Sequence, residues 1–414
     1  MFLMAGEIKN SLLDFSIIYG KVWRNESGRG VSMKLEEFKS GSYVRQYEYK
    51  SFSPEKINRE WVWEDARINV LLENATRALG ELNAFTQVVP DVDLFISMHI
   101  AKEANTSSKI EGTRTEIDEV VLPEEAVSPE KRDDWQEVQN YIKAMNAAVK
   151  ELESIPLSMR LLKSTHAILL SGTRGMHKTP GEFRRSQNWI GGNSPTDAAF
   201  VPPHQDELPD LLSDLEKFWH NDTANVPHLI KCAISHYQFE TIHPFQDGNG
   251  RIGRLMIPLY LISYKLLAKP SLYISAYLEH NRSEYYSALE QVRKGNDLFG
   301  WCRFFLQALI CTAENGKLTF QKIMKLKKDM EALCVSMGSR CANAQKIIHQ
   351  LYQEPFITAN QAKDILNVSF PTAKKIINEL VQKGILMPYM KQARANVFFF
   401  SRYMDIFADI PKQG

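Results

Sequence analysis

Twelve consecutive residues, His243-Pro244-Phe245-Gln246-Asp247-Gly248-Asn249-Gly250-Arg251-Ile252-Gly253-Arg254, bring together an imidazole, a carboxylate, a glycine-rich turn and two guanidinium groups. An imidazole titrates near neutrality and can act as a general base. Asp247 is a hard oxygen ligand suited to Mg²⁺ shared with phosphate oxygens. Gly248, Asn249 and Gly250 tolerate positive φ and so form a turn. Arg251 and Arg254, three residues apart, fall on one side of the helix that follows and can neutralise a polyphosphate. A turn at a helix N-terminus also presents unpaired N–H groups and the positive end of the helix dipole, a nest for an anion. The window reads as a phosphate site with a base beside it.

Two helices must position this loop. From Pro227 to Glu240, apolar residues recur at helical spacing, including Leu229, Ile230, Ala233, Ile234 and Tyr237, until Pro244 breaks the pattern. A second apolar helix starts near Arg251 and runs through Leu255, Met256, Leu259 and Ile262. Upstream, Gly191-Gly192-Asn193-Ser194-Pro195 is a strong turn between two short β-like stretches, the second ending in Phe200-Val201-Pro202-Pro203. A hairpin with a free edge there could hold another chain by strand addition, reading backbone rather than sequence.

The pattern His-x-Phe-x-Asp/Glu-Gly-Asn-Gly-Arg-x-x-Arg resembles the signature of Fic (Fido) proteins, and every position matches from His243 to Arg254. The resemblance implies a protein adenylyltransferase that moves AMP from ATP to a Ser, Thr or Tyr hydroxyl and releases pyrophosphate. It implies that His243 deprotonates the acceptor, Phe245 anchors the loop and Asp247 holds Mg²⁺. The ATP-binding stretch would run through Gly248, Asn249, Gly250, Arg251, Ile252, Gly253 and Arg254, with the glycine turn at the α-phosphate and the arginines on the outer phosphates. Residues Thr179 to Arg185 and Gln187 to Gly191 resemble the lead-in to the family's flap, which makes Phe200, Val201 and Pro202 flap residues. Asn281-Arg282-x-x-Tyr285-Tyr286, within a tyrosine cluster that also includes Tyr273 and Tyr277, resembles the wall around the nucleotide base and ribose.

A second motif bears on regulation. Ser107-Ser108-Lys109-Ile110-Glu111-Gly112 resembles the inhibitory Ser/Thr-x-x-x-Glu-Gly/Asn sequence of many Fic proteins. By that resemblance Ser107, Glu111 and Gly112 end an inhibitory helix, and Glu111 pairs with Arg254 inside the ATP site, preventing the γ-phosphate from seating. The resting state is then autoinhibited. Two alternatives remain open. One is a DNA-binding regulator whose Fic-like domain only senses a nucleotide. The other is the same site removing AMP or using another donor.

The 414 residues suggest two or three domains, and 44% hydrophobic content is enough for ordinary cores. Lys+Arg number 50 against 49 Asp+Glu, so no global basic footprint demands nucleic acid or anionic lipid. Five cysteines without CxxC spacing argue against disulfides or a zinc site. No stretch reaches a transmembrane span, the run from Leu255 to Leu267 being broken by Lys265, and the start lacks a secretory signal; the expected compartment is the cytoplasm. Met33 looks like a natural start, which would place residues before it outside the mature protein.

The expected organisation is an N-terminal extension (1–53), a helical region with the inhibitory helix (54–157), the Fic catalytic domain (158–315), a helical linker (316–341) and a C-terminal module (342–414). In the last, Thr358 and Ser369 can cap helices, Lys391 to Arg394 can form a wing, and Val397 to Phe400 returns as a strand. This resembles a winged helix-turn-helix. Seven Lys/Arg against three Asp/Glu between Ala342 and Phe400 suit DNA phosphates, although such modules also dock proteins or dimerise. Self-modification and a homodimer are further options. The expected fold is mainly α: a Fic-type helical bundle with a β-hairpin flap and a winged helix-turn-helix tail.

Overall fold

The structure, a computed structural model, describes residues 33–62, 65–389 and 397–408. Four short strands come first: β1 (Met33–Lys34), β2 (Gly41–Arg45), β3 (Lys50–Pro54) and β4 (Trp61–Val62). β2 and β3 form an antiparallel hairpin, while β1 and β4 pair in parallel. This segment is no loose extension. Leu35, Phe38, Phe52 and Trp61 are buried, and the Ser40 N–H and hydroxyl both donate to Asn296 Oδ1, at 2.8 and 3.0 Å. Residues 1–32, on which the proposed start at Met33 turns, lie outside the described residues.

Helix α1 (Ala66–Val88) begins where Asp65 accepts from the Arg67 N–H. α2 (Val92–Ile110) follows and stops at Glu111-Gly112, where Gly112 takes φ 105°. Then come the single turn α3 (Ile117–Val120), α4 (Arg132–Glu151), α5 (Met159–Leu169) and α6 (Leu208–His220). The central pair is α7 (His228–Ile242) and α8 (Asn249–Ser263). Every residue of α7 from Leu229 to Ile242 is buried, so this helix is a core rod rather than an amphipathic surface helix. Its polar side chains are met from inside: Lys231 Nζ donates to Asn221 O at 2.9 Å and the Ser235 hydroxyl to Lys231 O at 2.6 Å.

After α9 (Ser275–His280) and α10 (Arg282–Gly295), α11 (Leu298–Val335) runs 38 residues without a break. The boundary expected at 315/316 therefore falls inside a helix. Gly316 does not end it, because a Cβ there would meet Leu82 of α1 at 3.3 Å; the glycine lets two long helices approach. The C-terminal module comprises α12 (Cys341–Gln353), β5 (Phe356–Thr358), α13 (Ala359–Leu366), α14 (Phe370–Gln382), β6 (Met387–Pro388), β7 (Val397–Phe399) and α15 (Ser401–Phe407). Its antiparallel sheet has the order β5-β7-β6. Thr358 caps α13 by accepting from the Gln361 N–H, and Asn367 turns the chain with φ 52°. Ser369 is the N-cap residue of α14 but makes no capping hydrogen bond. The expected wing, Lys391 to Arg394, lies outside the described residues.

This module packs directly on α2. The Phe95 and Tyr352 rings meet edge-on at 5.3 Å, His99 meets Phe407 at 5.2 Å, and Lys102 Nζ donates to Phe407 O at 3.1 Å. Among the described residues, no helix is long and apolar enough to cross a membrane.

Candidate active site

The α7–α8 loop starts with strain. His243 sits at φ 50° and ψ 60°, a left-handed conformation that costs a non-glycine residue roughly 1–2 kcal/mol. The surroundings hold it there. Its carbonyl accepts from Arg184 Nε at 3.0 Å and Asn188 Nδ2 at 3.1 Å, while its N–H still donates to Phe239 O at 2.9 Å. Arg184 also donates through Nη2 to Pro203 O at 2.6 Å and through its backbone N–H to Pro244 O at 2.9 Å. Asn249 closes the loop from within: Oδ1 accepts from the Phe245 N–H and Nδ2 donates to Phe245 O, both at 2.8 Å.

Phe245 is fully buried, as expected of an anchor, and stacks on His166 with ring centres 3.8 Å apart. His166 Nδ1 accepts from the Gly181 N–H at 2.8 Å, which leaves Nε2–H to donate to Asp247 O at 3.0 Å. Burial pushes His166 down to about 4, so it works as a neutral strut.

The His243 imidazole has the tautomer and charge state that a base requires. Nδ1 lies 3.3 Å from Glu240 O, so Nδ1 carries the proton and the Nε2 lone pair is left to accept one. Burial pushes its pKa down to about 4, which keeps it neutral at physiological pH. Beside it, Gly248 at φ 75° starts α8, and the first intrahelical bond runs from the Ile252 N–H to Gly248 O. The N–H groups of Asn249, Gly250 and Arg251 therefore have no intrahelical acceptor, the condition for an anion nest. Asp247 is half-exposed; its Oδ1 accepts from the Gly248 N–H at 2.6 Å. Among the described residues no group of three or more acidic, His or Cys side chains could hold a metal alone. A single carboxylate facing solvent beside an anion nest fits Mg²⁺, which completes its shell with phosphate oxygens and water.

Both arginines are occupied by carboxylates. Arg251 Nη1 pairs with Glu137 of α4 at 3.2 Å, and its Nη2 lies 3.6 Å from Asp247. The buried Arg254 donates to the end of α2: Nε to Ser107 Oγ at 2.9 Å, Nη2 to Ser107 O at 2.9 Å and Nη2 to Glu111 Oε1 at 2.7 Å. Burial raises the Glu111 carboxyl, but Arg254 outweighs it and the net direction is down. A Cβ at Gly250 would lie 2.3 Å from Glu111 Oε1, so the close approach needs glycine at that position.

One expectation needs correction and another is made specific. Tyr285 is buried in the core, with its hydroxyl 3.0 Å from His236 Nε2, and presents no face to a nucleotide; only the neighbouring Tyr286 is exposed. The turn at 191–195 does join two stretches, bridged antiparallel at Ile190 and Phe200. The Phe200–Pro202 side, however, is not a free edge. Val201 O accepts from the Phe52 N–H of β3 at 2.9 Å, Pro202 O accepts from Gln187 Nε2 at 3.0 Å, and all three residues are buried. The open edge is that of Trp189, whose backbone makes no hydrogen bond among the described residues. Glu137 and His166 are central to the site and carried no sequence signal, Glu137 lying 114 positions from Arg251 and His166 81 positions from Asp247.

Residues 70–150 match the family model described as Fic/DOC family N-terminal, and residues 156–261 that of the Fic/DOC family. The chain carries a Fic N-terminal region and a Fic domain. The protein adenylyltransferase Fic of Drosophila grimshawi is 31% identical over 179 residues, 42% of this chain and 34% of that protein. That of Aedes aegypti is 34% identical over 125 residues, 30% of this chain and 22% of that protein. The match thus spans about a third or less of these relatives. A solved Fic domain containing signaling protein from Bacteroides thetaiotaomicron shares the fold, with a TM-score of 0.50 and 18% identity over 59% of this chain and 95% of that one. The Fic domain accounts for α7, the His243 loop and most of α8, and the Fic N-terminal region contains α2 and Glu111.

Proposed function

We propose that the protein is an autoinhibited adenylyltransferase that moves AMP from ATP to a Ser, Thr or Tyr hydroxyl of a protein. The observation that carries this reading is the neutral His243, tethered through Nδ1 to Glu240 O and placed one turn before an anion nest. In this mechanism Nε2 takes the acceptor's proton while its oxygen bonds the α-phosphorus. The bond to the β-phosphate oxygen breaks, and pyrophosphate leaves with the electron pair. The N–H groups of Asn249, Gly250 and Arg251 bind the α-phosphate region, and Arg251 and Arg254 meet the outer phosphates once their carboxylates yield. Asp247 would hold Mg²⁺, which supplies charge neutralisation between phosphates. Glu111 and Ser107, by filling Arg254, are the brake. The target strand would add to the open edge at Trp189, beside the flap residues Phe200 to Pro202.

The C-terminal module fits a winged helix that chooses location or partner. Thr372, Lys374, Lys375 and Asn378 of α14 are exposed, which also supports the second reading, a DNA-bound regulator with a nucleotide-sensing Fic domain. The two are separated by transfer of label from α-labelled ATP with Mg²⁺ to lysate proteins, in wild type, Glu111→Gly and Glu111→Gly/His243→Ala. Strong labelling in the single variant alone is expected. Nucleotide binding without labelling in any of the three would overturn the reading.

A further inference from the structure

Glu240 lies three residues before His243 and is 7% exposed. Its backbone carbonyl already fixes the His243 tautomer. Its side chain is less easily explained. Among the described residues Oε1 has no hydrogen-bond partner, and Oε2 stands 3.9 Å from His243 Nδ1. A buried carboxyl with an unpaired oxygen is costly, and a core position could be filled more cheaply by an amide or an apolar group. The fold also makes room for it: a Cβ at Gly253 would lie 2.2 Å from Oε1, so the carboxyl occupies space that only glycine leaves on α8.

We propose that Glu240 is the positioning partner of the His243 base, its carboxylate stabilising the imidazolium that forms when Nε2 takes the acceptor's proton. The inference rests on the reading of His243 as a base. No proton passes to Glu240. The Nδ1–H stays on the ring and turns part of its hydrogen bond from Glu240 O toward Oε2 as positive charge develops. The proton accepted at Nε2 returns to solvent after the product leaves. The charged groups around the pair are few: Arg254 of α8, Glu111 at the end of α2 and Arg293 of α10 face Glu240, while Glu111, Arg184 and Arg293 face His243.

Burial pushes the Glu240 carboxyl up to about 7, with Arg254 pulling down and Glu111 pushing up. The pairing, together with that titration, predicts a rate that rises through neutral pH as Glu240 ionises. The test compares Glu111→Gly with Glu111→Gly/Glu240→Gln and Glu111→Gly/Gly253→Ala. Glu240→Gln is expected to lower transfer about tenfold at pH 8 with KM for ATP unchanged, and to abolish the rise through neutral pH. Gly253→Ala, which displaces the carboxyl without removing it, is expected to change the profile in the same way. Unfolding midpoints of the Glu240→Gln protein should match or exceed the parent's. NMR titration of the His243 ring gives a readout independent of transfer: its signals should move through neutral pH as Glu240 ionises beside it, and stay flat there in Glu240→Gln. His243 signals that behave alike with and without the Glu240 carboxyl overturn the pairing whether or not transfer is seen. If they differ as expected but no background transfers label, the reading of the reaction fails and the pairing stands.

Discussion

The His243–Arg254 loop and the end of α2 meet at one guanidinium but are held in opposite ways. The loop is clamped from several sides by Arg184, Asn188, His166 and Asn249, all acting on main-chain groups. Glu111 is held at Arg254 through one carboxylate oxygen, and its side chain remains 38% exposed. On the proposed function, the difference separates two tasks. A loop that must present N–H groups in fixed directions needs redundancy, whereas a brake needs a contact that a competing phosphate can replace.

The widest break in that comparison should come from Arg184→Ala. It leaves the Pro203 carbonyl without its donor and the His243 carbonyl with Asn188 alone, at a cost on the order of 4 kcal/mol, and should abolish transfer in the Glu111→Gly background while lowering the urea midpoint. Acidification attacks the same side. His166 titrates near 6.5 unfolded but at about 4 folded, so its contribution is fully present above pH 6.5 and is lost as pH falls toward 4. That loss is on the order of 3 kcal/mol, read as a falling urea midpoint, and His166→Phe should flatten the slope. Glu111→Gly should leave the loop intact and raise transfer roughly tenfold to a hundredfold, the worth of one charge-assisted hydrogen bond. Smallest is Ser107→Ala, which removes one neutral acceptor from Arg254 Nε. It should raise transfer only a few-fold, about 1 kcal/mol, with Tm nearly unchanged.

The loop was legible because its chemistry is contiguous: His243, Asp247, the glycines and both arginines fall within twelve residues, and helix periodicity on either side placed them at a helix N-terminus. The 107–112 motif was legible as a resemblance, and the structure seats Glu111 on Arg254. Tyr285 misled because a tyrosine at helical spacing looks the same whether its hydroxyl meets solvent or, as here, His236. Which edge of the flap is open was not legible either, for another reason. Whether Val201 O is free depends on Phe52, 149 positions earlier, and no local pattern encodes that meeting. Helix α11 crossed an expected boundary because the change from an apolar to a charged stretch after Leu306 does not end the helix, and Gly316 within it is a contact with α1.

Helix α2 has neighbours at both ends. Near its start Phe95 and His99 are wedged against Tyr352 and Phe407, and past its last turn Glu111 reaches Arg254. From His99 to Glu111 is about 18 Å along a helix, too short a rod to bend appreciably. The C-terminal module and the arginine proposed to bind phosphate thus sit at the two ends of one short rod, the geometry of a lever with α12 and α15 as its handle.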